Sequence, residues 1–248
     1  MTDELFRADA LLRSCDATVV AVEPQGIVLD RTVFYPLGGG QGGDTGELEV
    51  ASGALQGRAL RIVDTRKVRD ADGQPTGAIW HVAHAPADGL QPGDRVLARI
   101  DWERRHHMMR LHTTTHLLCH LVPQLVNGCS ITPDYARLDF HMADVLDKDA
   151  LTRGIARLVA AALPVTVQSV TDAELDADPA LVKSMSVHPP RGSGTVRTIR
   201  IGTDAQFVDL QPCGGTHVAN TAEIGAVVVT KIEKKGAMAR RVVLGFAD

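Results

Sequence analysis

Residues 101–122, DWERRHHMMRLHTTTHLLCHLV, mark the point at which the character of the chain changes. Before Asp101 the apolar residues come in short runs broken by turn signals. After it they recur at helical spacing, with Leu111, Thr115, Leu118, Val122 and Leu125 forming an apolar or near-apolar stripe. Asp101 stands where a helix takes its N-terminal cap, and Pro123 where a helix kinks or ends. Within this helix His112 and His116 are four residues apart. That spacing puts both imidazoles on one face, where they can converge on a single metal ion. A Glu directly after the first His would complete the H-E-x-x-H pair of a zinc protease and supply its general base. Thr113 occupies that position, so the peptidase reading loses its base. A bare H-x-x-x-H pair is more often two unrelated histidines, and the rest of the chain has to decide.

Working outward, residues 1–100 read as β. TVVAVEPQGIVLDRTVFY is two apolar runs around Pro24-Gln25-Gly26. GELEV, ALRIVDTRKV, AIWHVAH and DRVLARID follow between turn clusters. Short strands with frequent turns predict a small N-terminal β-barrel. From 101 to 248 the order is mixed. After the His-bearing helix come a strand at ARLDF, an amphipathic helix at DKDALTRGIARLVAAAL and a further helix at DAELDADPALVKSM. Strands at TVRTIRI, QFVDL, AVVVTKI and RRVVLGF complete the chain. The expected class is α+β, a barrel followed by an α/β sandwich.

Composition narrows the function. Of the 248 residues, 44% are hydrophobic and 23% charged, as in a globular protein. No apolar run approaches the roughly 18 residues of a membrane helix, so no membrane partner is expected. The N-terminus lacks the basic and apolar regions of a signal peptide. Cys15, Cys119, Cys129 and Cys213 are too few and scattered for a disulfide framework, which fits a reducing cytoplasm. Net charge is −4, yet residues 95–110 carry five Arg against two acids, and residues 187–248 eight Lys or Arg against five. These local basic balances flank the His segment and suit a polyanion; the alternative is a solvated face.

The second half also supplies further ligands. In QPCGGTHV, Cys213 and His217 sit four apart across a Gly-Gly turn that lets the backbone bend, so that thiolate and imidazole point the same way. With His112 and His116 they make an N₃S set suited to one Zn²⁺ per chain.

HTTTHLL followed by CGGTHVANTAEIG resembles the editing domain of alanyl-tRNA synthetases and its free-standing relatives, the AlaX trans-editing proteins. FYPLGGGQGGDTGEL at 34–48 is similar to the glycine-rich motif of the longer AlaX proteins, although Leu37 stands where an acid is common and Gly42 where a proline is. RLDF at 137–140, MSVHPPRGSGTVR at 185–197 and the terminal RRVVLGF fit as well. The resemblance implies an N-terminal barrel domain with the glycine-rich motif over 1–100 and a zinc-containing aminoacyl-tRNA editing domain over 101–248. It also implies a stand-alone hydrolase that removes serine chiefly, and glycine secondarily, from alanine tRNA, docking on the acceptor arm with its G·U pair. No nucleotide-binding fingerprint is present, so no ATP-driven ligation is expected.

An apolar pocket cannot strongly reject an isostere that adds only a hydroxyl, whereas a site that hydrogen-bonds the hydroxyl can refuse alanine. Thr113, Thr114, Thr115, Ser130, Thr132 and Gln41 are the candidate polar groups; the plainer reading of each is a local backbone hydrogen bond. Gly38, Gly39, Gly40 and Gln41 are the expected substrate loop, with Gln41 the candidate catalytic side chain. Its alternative is a tight barrel turn. Arg104, Arg105, Arg191, Lys234 and Lys235 are candidate phosphate contacts. His106, His107 and His141 are expected to be solvated, His120 to lie at the surface or behind the ligands, and Cys119 and Cys129 to be packing residues. Two rivals remain: a zinc-stabilised tRNA-binding module without catalysis, and a metal-dependent esterase acting on another substrate.

Overall fold

The computed structural model describes residues 1–186 and 194–247. The chain forms two compact units: Met1–Gly38 with Gly42–His106, and Gly39–Gln41 with His107–Asp248. The class is mixed and strand-rich. Among the described residues no helix is long and apolar enough to cross a membrane.

In the first unit, β1 (Ser14–Glu23), β2 (Gly26–Leu29), β3 (Gly46–Val50), β4 (Ala59–Arg69), β5 (Pro75–Ala83) and β6 (Arg95–Ile100) close on themselves as a barrel in the order β1-β2-β5-β4-β3-β6. Alternation explains the closure. Val96, Ala98 and Ile100 of β6 point inward with Leu48 and Val50 of β3 and Ile62 of β4, while Arg95, Leu97 and Arg99 lie between them. Each buried Val, Leu or Ile among them contributes about 1.5–3 kcal/mol. Gly46 is required where β3 crosses β6, because a Cβ there would lie 2.1 Å from the carbonyl oxygen of Arg99.

One expected phosphate contact is overturned here. Arg105 is fully buried and ion-paired with Asp44, itself fully buried. Its Nε lies 3.0 Å from both Asp44 oxygens, and its other nitrogens donate to the carbonyls of Val33 and Ala10. A guanidinium so enclosed is a core residue and is closed to RNA. His106 is half-buried and not fully solvated, with its ring stacked on Trp102 at 5.5 Å.

The helix α1 (Trp102–Leu121) starts as expected, with the Asp101 carboxylate accepting from the backbone N–H of Arg104. It stops before Pro123, and Leu125, placed on the apolar stripe by periodicity, is 47% exposed just ahead of a strand. In the second unit follow β7 (Val126–Ile131), β8 (Tyr135–Phe140), α2 (Lys148–Ala160), β9 (Val165–Thr171), α3 (Asp172–Ala177), β10 (Thr195–Gly202), β11 (Phe207–Pro212), β12 (Val227–Gly236) and β13 (Ala239–Phe246). They make a four-stranded sheet, β12-β13-β8-β7, and a three-stranded one, β9-β10-β11, antiparallel throughout. The helix expected over DAELDADPALVKSM is only α3. Asp178 leaves the helical conformation and Pro179 opens a separate 3₁₀ turn. His107 is likewise half-buried, packing on Phe246, and His141 is exposed as expected.

The segment Gly39–Gln41 belongs with the second unit. Gln41 bridges Ile131 in parallel, and the Ile131 N–H donates to the Gly40 carbonyl at 2.8 Å. The segment therefore extends the edge of β7 by one short strand-like step. Gly40 has φ +87°, and a Cβ there would sit 2.8 Å from the Cys129 carbonyl oxygen, so only glycine fits without displacement.

Candidate metal centre

α1 presents His112 and His116 on one face, and the loop after β11 carries Cys213 and His217 to meet them. One ligand atom from each of the four lies within 4.8 Å of all the others. The Cys213 sulfur is 3.5 Å from Nε2 of His112 and 3.3 Å from Nε2 of His217. The turn between Cys213 and His217 must pass tightly over the first ligand. A Cβ at Gly215 would lie 2.1 Å from Cε1 of His112, which explains the second glycine of CGGTH.

Each imidazole is held through its other nitrogen. His112 Nδ1 donates to Oε1 of Gln41 at 2.9 Å, His116 Nδ1 to Oδ2 of Asp209 at 2.9 Å, and His217 Nδ1 to Oγ1 of Thr113 at 3.2 Å. With Nδ1 committed as donor, Nε2 is the lone pair left to ligate, which is the arrangement metal-binding histidines use. All three rings are buried.

The electrostatics suit a cation. Burial raises the Cys213 thiol, but the adjoining His112 and His217 outweigh it and hold the thiol well below its ordinary value. Burial also lowers His217, which with the neighbouring His112 falls to about 3. For His116 burial works the same way, but the hydrogen bonds to Asp209 and Cys213 prevail and raise it to about 9. A thiolate beside imidazoles is a ligand set in which a divalent metal replaces bound protons. Three imidazole nitrogens and one thiolate are the donor chemistry and number that Zn²⁺ takes in a tetrahedral site, so the residues fit that ion.

Of the other sequence candidates, Gln41 is brought to the centre but not as a free side chain. It is 1% exposed; its Oε1 also accepts from the Thr216 N–H at 3.0 Å, and its Nε2 donates to Thr216 Oγ1 at 2.8 Å. Its amide oxygen and one of its two amide N–H donors hold His112 and Thr216 in place. Gly39 and Gly40 are exposed beside it, and Gly38 is half-buried, its carbonyl accepting from the Tyr35 hydroxyl at 2.8 Å. Thr132 follows Ile131, which bridges Gln41, and engages its own turn. Its hydroxyl donates to the Tyr135 carbonyl at 3.0 Å and accepts from two N–H groups of the same turn. Thr114 and Thr115 bond to their own helix backbone; Thr113 does so too, donating to Met109, while serving His217. His120 is exposed and Cys119 is buried packing. Arg191 lies outside the described residues.

Sequence reasoning missed Asp209, Thr216, Gln211 and Lys183. Gln211 Nε2 donates to Asp209 Oδ2 at 2.8 Å, and the Lys183 ammonium pairs with Asp209 Oδ1. The one available signal is an acid in the apolar strand QFVDL, four residues before Cys213.

Residues 196–243 match the family described as the threonyl and alanyl tRNA synthetase second additional domain, and residues 10–104 match the class II (A) tRNA synthetases. The chain is 33% identical to the alanyl-tRNA editing protein AlaX-M of Methanosarcina barkeri, an alignment covering 100% of both chains. It is equally identical, at 33%, to the AlaX-M protein of Saccharolobus solfataricus over 98% of each. Similarity to the alanine–tRNA ligase of Metallosphaera sedula is 35% over 94% of this chain but only 25% of that ligase. With full-length similarity to two AlaX-M proteins and the His-His-Cys-His cluster assembled, this chain belongs to the AlaX family of alanyl-tRNA editing proteins.

Proposed function

We propose that the chain is a zinc-dependent deacylase that hydrolyses the ester joining a wrong amino acid to alanine tRNA, with serine the principal error and glycine the second. The observation that carries this is the convergence of four ligand atoms with every imidazole already oriented through Nδ1, in a chain of the alanyl-tRNA editing family. Zn²⁺ held by His112, His116, Cys213 and His217 supplies Lewis-acid polarisation and a fixed positive charge for an ester that is intrinsically labile. The chain's own residues do the positioning. Gln41, Asp209 and Thr113 keep the ligand rings from rotating.

The exposed backbone of Gly39 and Gly40, both at positive φ, is proposed to hold the aminoacyl ester or the terminal adenosine, with Gly38 as the entry to that segment. In this reading the second unit is the editing domain proper and includes the Gly39–Gln41 core of the glycine-rich motif, whose flanks belong to the first unit. Lys234 and Lys235, exposed on β12, together with Arg191 and the half-buried Arg104, are the proposed phosphate contacts in the acceptor arm.

The test is deacylation of seryl-, glycyl- and alanyl-tRNA for alanine, with and without a chelator. Rapid loss of the serine ester, sparing of the alanine ester and arrest by chelation are expected. Undiminished cleavage after metal removal, equal cleavage of the alanine ester, or tRNA binding without cleavage would overturn the proposal.

A further inference from the structure

The three imidazoles of the metal cluster have unequal supports. Gln41 and Thr113 are neutral; the partner of His116 is the carboxylate of Asp209, which is fully buried on β11. That carboxylate is itself clamped from two elements. Gln211 of the same strand donates to Oδ2, and Lys183 pairs with Oδ1. Lys183 is in turn fixed by its backbone. The Val126 N–H donates to the Lys183 carbonyl at 2.8 Å, and the Met185 N–H to the Val126 carbonyl at 2.9 Å, so the residues around Ser184 run parallel to the start of β7.

We infer that Asp209, held by Lys183, is a positioning residue that fixes the tautomer and orientation of His116 and thereby sets the affinity of the metal centre. This inference rests on the reading of the cluster as a zinc site. Counting donors against acceptors shows why a carboxylate is needed. Asp209 receives three donors on its two oxygens, Nδ1–H of His116 and an N–H of Gln211 on Oδ2 and the Lys183 ammonium on Oδ1. It is His116 and Lys183 that call on different oxygens. An amide in its place has a single oxygen, so one of the two donors must face an NH₂ group. If His116 faces it, Nδ1 has to become the acceptor and the proton moves to Nε2, the atom that should ligate. If Lys183 faces it, an ammonium meets an NH₂ group at a largely buried position. The carboxylate satisfies both donors at once, and its charge makes the imidazole a better donor to a cation.

The experiment compares zinc affinity, by competition with a chromophoric chelator, in the native chain, Asp209→Asn, Lys183→Met and the double variant Lys183→Met/Asp209→Asn. The native chain should take up one zinc ion. Asp209→Asn should bind it about 10–100-fold more weakly. Removing Lys183 as well frees the amide oxygen to turn toward His116, so the double variant should recover part of that loss. The cobalt-substituted forms should keep a thiolate-to-metal absorption band in every variant, since Cys213 is untouched. The ¹⁵N shifts of His116 should report the Nδ1–H tautomer in the native chain and a loss of it in Asp209→Asn. A folded Asp209→Asn chain within about threefold of native affinity, or a double variant no tighter than the single one, overturns the inference. Should Asp209→Asn alone not fold, equal affinity in the native chain and the double variant overturns it in the same way. A native chain that binds no zinc fails the underlying reading instead.

Discussion

Gln41 and His112, 71 residues apart in sequence, meet side chain to side chain, with Oε1 2.9 Å from Nδ1. The same amide grips Thr216, next to the ligand His217, through both its oxygen and its nitrogen. One side chain thus couples the Gly39–Gln41 segment to His112 of α1 and to the loop bearing Cys213 and His217. Gln41→Ala should weaken zinc binding roughly tenfold and slow seryl-tRNA hydrolysis in the same samples. If Gln41 instead contacts substrate alone, zinc content stays at the native level while hydrolysis falls.

The His-His-Cys-His cluster is legible in the sequence because Cys and His are scarce and each pair has a spacing with a mechanical meaning, His112 and His116 on a helix face and Cys213 and His217 across glycines. The supports are not. A single acid in a strand, such as Asp209, looks the same in sequence whether it faces water or a histidine, and its partners arrive from residues 116 and 183. Arg105 shows the opposite error. Local charge density makes it a candidate for RNA, but its environment is set by Asp44, 61 positions earlier. The barrel strands are readable from alternation and turn residues, which are local. The length of α3 is not, because Pro179 begins a new turn where helical spacing alone would continue the helix.

Arg105 and the pair Lys234 and Lys235 should therefore behave oppositely. Alanine at either lysine should lower tRNA affinity and reduce the salt dependence of binding by about 0.7–0.9 log unit per log unit of salt for each phosphate no longer neutralised. Arg105→Ala should act on folding, by about 3–5 kcal/mol in a denaturant titration, because it strands the buried Asp44 carboxylate. Lysine variants with native affinity and salt slope would remove β12 from the RNA interface.

His81 gives the first unit a predictable acid limb. It is fully buried, with Nδ1 donating to the Ile27 carbonyl at 3.0 Å and Nε2 accepting from the Thr32 hydroxyl at 2.7 Å. Burial pushes it from 6.5 down to about 4. Between those values the unfolded chain binds a proton that the folded chain refuses, so stability rises with pH across this window and is lost as pH falls through it. The full effect is about 3 kcal/mol and levels off below about pH 4. Denaturant titrations of the native chain and of His81→Gln from pH 7 to pH 4 isolate it by difference. Equal slopes in the two would show that His81 does not drive the acid limb.

Gly39 and Gly40 are neighbours with positive φ, +58° and +87°, yet they should fail differently when replaced. At Gly40 a Cβ collides with the Cys129 carbonyl, and the backbone carbonyl of Gly40 is the acceptor for Ile131. Gly40→Ala must therefore push the segment off β7 and carry Gln41 away from His112, so zinc affinity and hydrolysis should fall together. Gly39 is exposed, and among the described residues its backbone makes no such pairing with β7. Gly39→Val forces a β-branched residue into the left-handed region at a cost of about 1–2 kcal/mol, and it places side-chain bulk where the proposed ester or adenosine lies. Hydrolysis of seryl-tRNA should slow at least about tenfold, equivalent to roughly 1.4 kcal/mol of transition-state stabilisation, with zinc retained. A zinc-loaded Gly39→Val chain with native hydrolysis would reduce the motif to a turn that holds Gln41 in place. Loss of zinc in that variant would mean that the whole segment, and not Gly40 and Gln41 alone, belongs to the metal support.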